Sequence, residues 1–150
     1  MSETRRYARQ RGVTLLELMI VVAIIAMIAA FAYPSYVQFT VRAKRTAATG
    51  TLMQIADRQQ QFFMDNKRYA STLTRLGYAN DTIAVGDEGQ VVAAGDADRI
   101  YSINISNSTA TTYTLTAAPQ LAQAAKDKCG SLTLTNTGVK GHSGSGTKCW

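Results

Sequence analysis

The chain has 150 residues, 46% of them hydrophobic, a formal net charge of +6 and two cysteines. That length suits one soluble domain plus an anchor and excludes a large multidomain assembly. Half of the positive charge belongs to Met1–Gly12, where Arg5, Arg6, Arg9 and Arg11 outweigh Glu3, so charge alone does not indicate a general nucleic-acid binder.

After this basic leader, the run from Leu18 to Val41 carries no charge. As a helix, Val13–Tyr33 rises ~30 Å, the thickness of a bilayer core, and is predicted to be a membrane anchor. A secretory signal peptide has its apolar stretch before the cleavage site. Here the small residue Gly12 precedes the stretch, so cleavage after it would remove the arginines and keep the helix. The arginines favour a cytoplasmic N-terminus. Arg42, Lys44 and Arg45 flank the other end, and the cysteines decide the matter by placing the C-terminal part in an oxidising space. Glu17 is the carboxylate of the anchor. It either snorkels to the headgroups at the positive end of the helix dipole or pairs with a charge in low dielectric. Pro34 either follows a helix ending at Tyr33 or kinks a longer one. Apolar residues continue at Tyr36, Val37, Phe39 and Val41, which favours a kinked continuation.

From Arg42 to Asp65 the pattern is amphipathic. Ala48, Leu52, Ile55, Ala56, Gln59, Phe62 and Phe63 recur at helical spacing. Gly50 weakens the helix by about 1 kcal/mol relative to alanine without breaking it. The helix is expected to end at Asp65-Asn66. Its ~80 Å length makes it half anchor and half spine of a head. Residues Asn66–Arg99 lack sustained periodicity and read as a long loop punctuated by Gly86, Gly89 and Gly95. The acidic residues Asp87, Glu88, Asp96 and Asp98 match no ion-binding spacing and read as a solvated turn.

Alternation then takes over. Tyr101, Ile103 and Ile105 share one face; so do Tyr113 and Leu115, and Leu132 and Leu134. A turn at Asn136-Thr137-Gly138 allows a short fourth strand at Val139-Lys140. The expected fold is therefore α+β: a long N-terminal α-helix, half transmembrane and half amphipathic, packed on a three- or four-stranded antiparallel sheet. The tail ends in the flexible stretch Gly141–Gly146 and Cys149-Trp150. Cys129 and Cys149, an even pair beyond a membrane anchor, read as a disulfide worth about 3 kcal/mol. Two free buried thiols are the alternative. A metal site would have only His142 to join them. The chain shows no catalytic constellation, and neither enzyme nor cofactor chemistry is expected. Lys126, Lys128, Lys140 and Lys148 lie near the tail with Asp127 opposing. With Trp150 they form a candidate DNA contact, set against solvated lysines and a packed tryptophan.

Gly12-Val13-Thr14-Leu15-Leu16-Glu17 followed by an apolar helix resembles the type III signal sequence of type IV pilins and related pseudopilins. The resemblance implies three segments: a leader over 1–12, an apolar transmembrane and assembly helix over 13–41, and a periplasmic or extracellular head over 42–150. A prepilin peptidase/methyltransferase would cut between Gly12 and Val13 and methylate the new amine of Val13, although the family usually has phenylalanine there. Glu17 would then form a salt bridge to the Val13 amine of a neighbouring subunit. Pro34 matches the pilin proline at which the helix bends. The cysteine-bounded tail resembles the D-region of type IVa pilins. Tyr113-Thr114-Leu115-Thr116-Ala117, Cys129-Gly130-Ser131-Leu132-Thr133-Leu134 and Cys149-Trp150 resemble PilE-type minor pilins. The implied function is a minor pilin needed for pilus assembly, serving twitching motility or adhesion. Its partners would be other pilins, the inner-membrane assembly machinery and, before assembly, membrane lipid. A DNA-binding competence pilin, a major pilin and a type II secretion pseudopilin are the alternatives.

Overall fold

The computed structural model describes residues 12–150; the leader arginines lie outside the described residues. The chain divides into two compact units, one ending at Gln38 and the other running from Phe39 to Trp150.

The first helix, α1, runs from Leu15 to Asn66 and passes through Pro34 without ending there. Its start is fixed locally: the Glu17 amide donates to Thr14 Oγ1 at 3.2 Å, and Glu17 sits in the first turn. A threonine cap and a carboxylate at the positive end of the helix dipole both favour initiation here. Its end is equally local. Lys67 adopts φ 55, and its amide donates to Phe63 O at 2.8 Å. The N-terminal part of α1 is apolar on all sides and exposed, with Leu15 at 77% and Phe31 at 84%. α1 is long and apolar enough to cross a membrane. A helix apolar all round suits lipid rather than water.

In the second unit, α1 turns amphipathic as its sequence requires. Ala48, Leu52, Ile55 and Gln59 are fully buried, one helical turn or less apart. Gln59 is the polar member of this stripe. Its Oε1 accepts from the Ala70 amide and its Nε2 donates to Ala70 O, both at 2.9 Å. Both halves of its amide are thereby satisfied in the core.

These residues pack against one antiparallel sheet. Its strands are β1 (Thr82–Gly86), β2 (Val91–Ala93), β3 (Arg99–Ser106), β4 (Thr114–Pro119), β5 (Leu132–Thr135) and β6 (Lys140–His142), in the order β2-β1-β3-β4-β5-β6. Ile83, Ile103, Ala117 and Leu132 lie opposite one another across four strands. This row is buried and, with Leu52 and Ile55, belongs to the core. Each fully buried Leu or Ile contributes roughly 1.5–3 kcal/mol.

The three alternating segments are β3, β4 and β5, and the short strand at the tail is β6. The sheet nevertheless has six strands rather than three or four, because β1 and β2 arise in the segment read as a loop. Ile83, Ala84 and Val85 of β1 are all buried. A strand buried on both faces shows no alternation. β2 has only three residues. A second helix, α2 (Leu121–Lys126), follows β4.

Candidate functional site

The first candidate region begins at Gly12. Val13 is 68% exposed and Glu17 is exposed. Among the described residues the Glu17 carboxylate has no ion-pair partner. Leu15, Leu18, Met19, Val22, Ala23 and Ala26, on either side of it in the chain, line an open apolar groove of about 390 Å³. A lone carboxylate beside such a surface leaves its charge to be met by another molecule or by headgroups.

The second candidate region is the tail. Cys129 and Cys149 form a disulfide, and both are buried. The Gly-Ser stretch between them is not flexible but pinned. Ser143 and Gly144 amides donate to Ser131 O and Cys129 O at 2.9 Å each, and the Gly146 amide to Lys128 O at 3.0 Å. A Cβ on Gly144 would lie 2.2 Å from Lys128 O, and one on Gly146 would lie 2.7 Å from Cys129 Sγ. These glycines permit backbone-to-backbone approach; they do not supply slack.

A charged cluster ties both ends of this loop to α1. Arg45 Nη2 and Nε donate to the Asp127 carboxylate, the latter at 3.1 Å, and Arg45 Nη1 donates to Lys148 O at 2.9 Å. Tyr101 Oη donates to Asp127 Oδ2, and the Cys129 amide donates to Asp127 Oδ1 at 2.9 Å. Gln123 Nε2 donates to Val41 O at 3.1 Å. Burial pushes the Asp127 carboxyl up, but the hydrogen bonds from Arg45, Tyr101 and the Cys129 amide outweigh it and hold the group below the usual carboxylate range. Burial and the Asp127 hydrogen bond push the Tyr101 phenol well above its ordinary value. In the sequence Asp127 stands out only as a charge opposing the lysines. An aspartate two residues before a cysteine, able to bond that cysteine's amide, was the available signal.

The candidate DNA-contact residues are only partly brought together. Lys140 Nζ sits 5.4 Å from the centre of the Trp150 ring, and Trp150 Nε1 donates to Gly141 O at 2.9 Å. Trp150 is half-buried against the core, so its indole is engaged within the head. Lys148 lies in a different setting, an open pocket shared with Arg42, Arg45 and Trp150. Lys126 and Lys128 are exposed at the end of α2.

Residues 7–33 match the family model of the prokaryotic N-terminal methylation motif. Residues 34–133 match that of the type IV minor pilin ComP, DNA uptake sequence receptor. The chain belongs to the type IV pilin family. The type IV major pilin protein PilA of Myxococcus xanthus is 40% identical to this pilin over 79 residues, 53% of this chain and 36% of that protein. A fimbrial protein of Pseudomonas aeruginosa is 34% identical over 83 residues, 51% of this chain and 54% of its own. The type II secretion system core protein G of Dickeya chrysanthemi is 32% identical over 69 residues, 46% of this chain and 45% of that one. The pilin therefore spans only between 36% and 54% of the length of these relatives. A type IV pilin from Shewanella oneidensis shares the fold, with a TM-score of 0.50 at 22% identity, covering 73% of this chain and 97% of that one.

Proposed function

We propose that this pilin is a minor subunit of a type IV pilus, needed for pilus assembly. The observation that carries this reading is the match of residues 34–133 to a minor-pilin family. The chain is held in the inner membrane by residues 13–41 with its N-terminus cytoplasmic, and is cut between Gly12 and Val13 by the prepilin peptidase, which methylates Val13. The assembly machinery then moves it into the filament, where Glu17 pairs with the Val13 amine of a neighbour and Pro34 lets the helix bend. Quantitative mass spectrometry of sheared filaments tests the assignment. A trace of chain beginning at methylated Val13 is expected. A dominant amount would make it a major pilin, and its absence from filaments would make it a pseudopilin. The Glu17→Leu variant should insert in membranes normally. Without a buried ion pair worth about 3 kcal/mol, its filament content should fall more than tenfold. Normal incorporation would refute the role given to Glu17.

A second reading is favoured by the description of that same family as a DNA uptake sequence receptor. On this reading Lys126, Lys128, Lys140 and Lys148 meet DNA phosphates, with Trp150 positioning Lys140. Salt-dependent DNA binding lost in Lys140→Glu/Lys148→Glu supports it, and no binding at low salt ends it.

A further inference from the structure

Cations beside a membrane segment usually mark its cytoplasmic side, yet Arg42, Lys44 and Arg45 follow the uncharged run directly, on the side of the head. The fold neutralises two of them. Lys44 Nζ lies 2.6 Å from Asp87 Oδ1, and Arg45 is held by Asp127. Arg42 is exposed and, among the described residues, pairs with no carboxylate; the same holds for Lys148. These two cations line a single open pocket of about 210 Å³, with Trp150 forming another wall. The Thr46 and Thr49 hydroxyls in its lining already donate to Arg42 O and Thr46 O. The pocket's free donors are therefore the two cations.

We propose that Arg42 and Lys148 bind the phosphate of an anionic phospholipid headgroup where the helix leaves the bilayer, before the subunit enters a filament. The inference rests on the membrane-anchored reading above. As a helix, residues 13–41 rise ~43 Å against a bilayer of ~40–45 Å including its headgroups, so Arg42 emerges at the outer edge of the headgroup layer. Helical side chains lean toward the helix N-terminus, which here means back toward the lipid. Phe39, one turn earlier, is 69% exposed and offers an apolar contact at the same boundary. A tryptophan in the pocket wall is also the residue type favoured at membrane interfaces. Each cation held near an anionic surface favours binding about fivefold, so the pair favours it more than tenfold.

Trp150 is the single tryptophan of the chain, so its emission reports this pocket directly. The full-length processed chain is placed in nanodiscs of phosphatidylcholine with or without phosphatidylglycerol, each carrying a headgroup-nitroxide lipid as quencher. Quenching of Trp150 should be at least fivefold stronger with phosphatidylglycerol and should weaken with salt. It should be lost in Arg42→Glu/Lys148→Glu and kept in Arg42→Lys. Should the double reversal fail to form its disulfide, Arg42→Gln, at an exposed position, makes the same comparison. Equal quenching in both lipids, or quenching unchanged in the variants, overturns the proposal. So does the same emission change produced in phosphatidylcholine discs by inorganic phosphate, which marks a free-anion site, or by a short DNA duplex, which marks a nucleic-acid surface. Co-elution with the discs is scored separately. A chain that fails to co-elute overturns the anchoring reading and this inference together. A chain that co-elutes without lipid-dependent quenching overturns the inference alone.

Discussion

Asp127 is the residue on which the tail turns. Its side chain is wholly buried, and it meets a guanidinium that is only 11% exposed. Removing one partner of such a pair strands the other's charge. Asp127→Asn should therefore cost about 3–5 kcal/mol in denaturant unfolding. The sign of the pH effect follows from the lowered carboxyl. The unfolded aspartate titrates at ~3.9, so the stabilisation is complete above that value and is lost as pH falls through the lower folded one. The wild-type unfolding midpoint should drop steeply below about pH 4. The Asp127→Asn midpoint, lower near neutral pH and converging with wild type in acid, should lack that component; an identical acid profile would refute the pairing. Gly144 is the other decisive residue. A Cβ there meets backbone atoms of Lys128 and Cys129 rather than a flexible side chain. Gly144→Ala should cost about 1–3 kcal/mol, readable as a lower thermal midpoint of the oxidised head.

At the scale of elements, α1 shows why position rather than residue type decides what a glycine does. Gly50 lies mid-helix and exposed, and a Cβ there has nothing within 4 Å. Gly50→Ala should raise head stability by about 1 kcal/mol, the opposite sign to Gly144→Ala. A destabilised Gly50→Ala would show that the space beside Gly50 is not open. The same contrast explains which elements the sequence discloses. The buried stripe of α1 announces itself through Ala48, Leu52, Ile55 and Gln59, because the helical period survives in the chain. β3, β4 and β5 announce themselves because one face of each is apolar and the other holds Ser, Thr and Asn. β1 is silent because neighbours cover both its faces and erase the alternation, and β2 is too short to set a period. The tail misleads for a different reason. Its Gly-Ser composition is that of a linker, but three backbone hydrogen bonds, a fourth from the Ser131 amide to the Ser143 hydroxyl, and the crowded Gly141, Gly144 and Gly146 give that composition a packing role. Composition records which conformations are open to a segment, not what presses on it.

The whole chain combines two units with different surfaces. Before Gln38 the apolar surface of α1 is exposed, whereas beyond Phe39 the same helix buries its stripe under the sheet. On the membrane-anchored reading proposed above, lipid drives one burial and the head's own core drives the other, so damage to the head should leave the anchor working. Cys129→Ser/Cys149→Ser makes the separation measurable. Opening a loop of this length removes about 3 kcal/mol by the chain-entropy model. The Arg45–Asp127 cluster still holds both ends of the tail to α1, which opposes complete loss of the head fold. The variant should therefore show a lower denaturation midpoint and faster proteolysis within the tail. Its partition into the membrane fraction should match that of wild type. Adding Asp127→Asn to the cysteine variant removes the second tie to the same segment, so the combined loss should exceed the sum of the two separate losses. Loss of membrane partition in the cysteine variant would show that the units are not independent. Strict additivity would show that the disulfide and the charged cluster do not hold the same piece of chain.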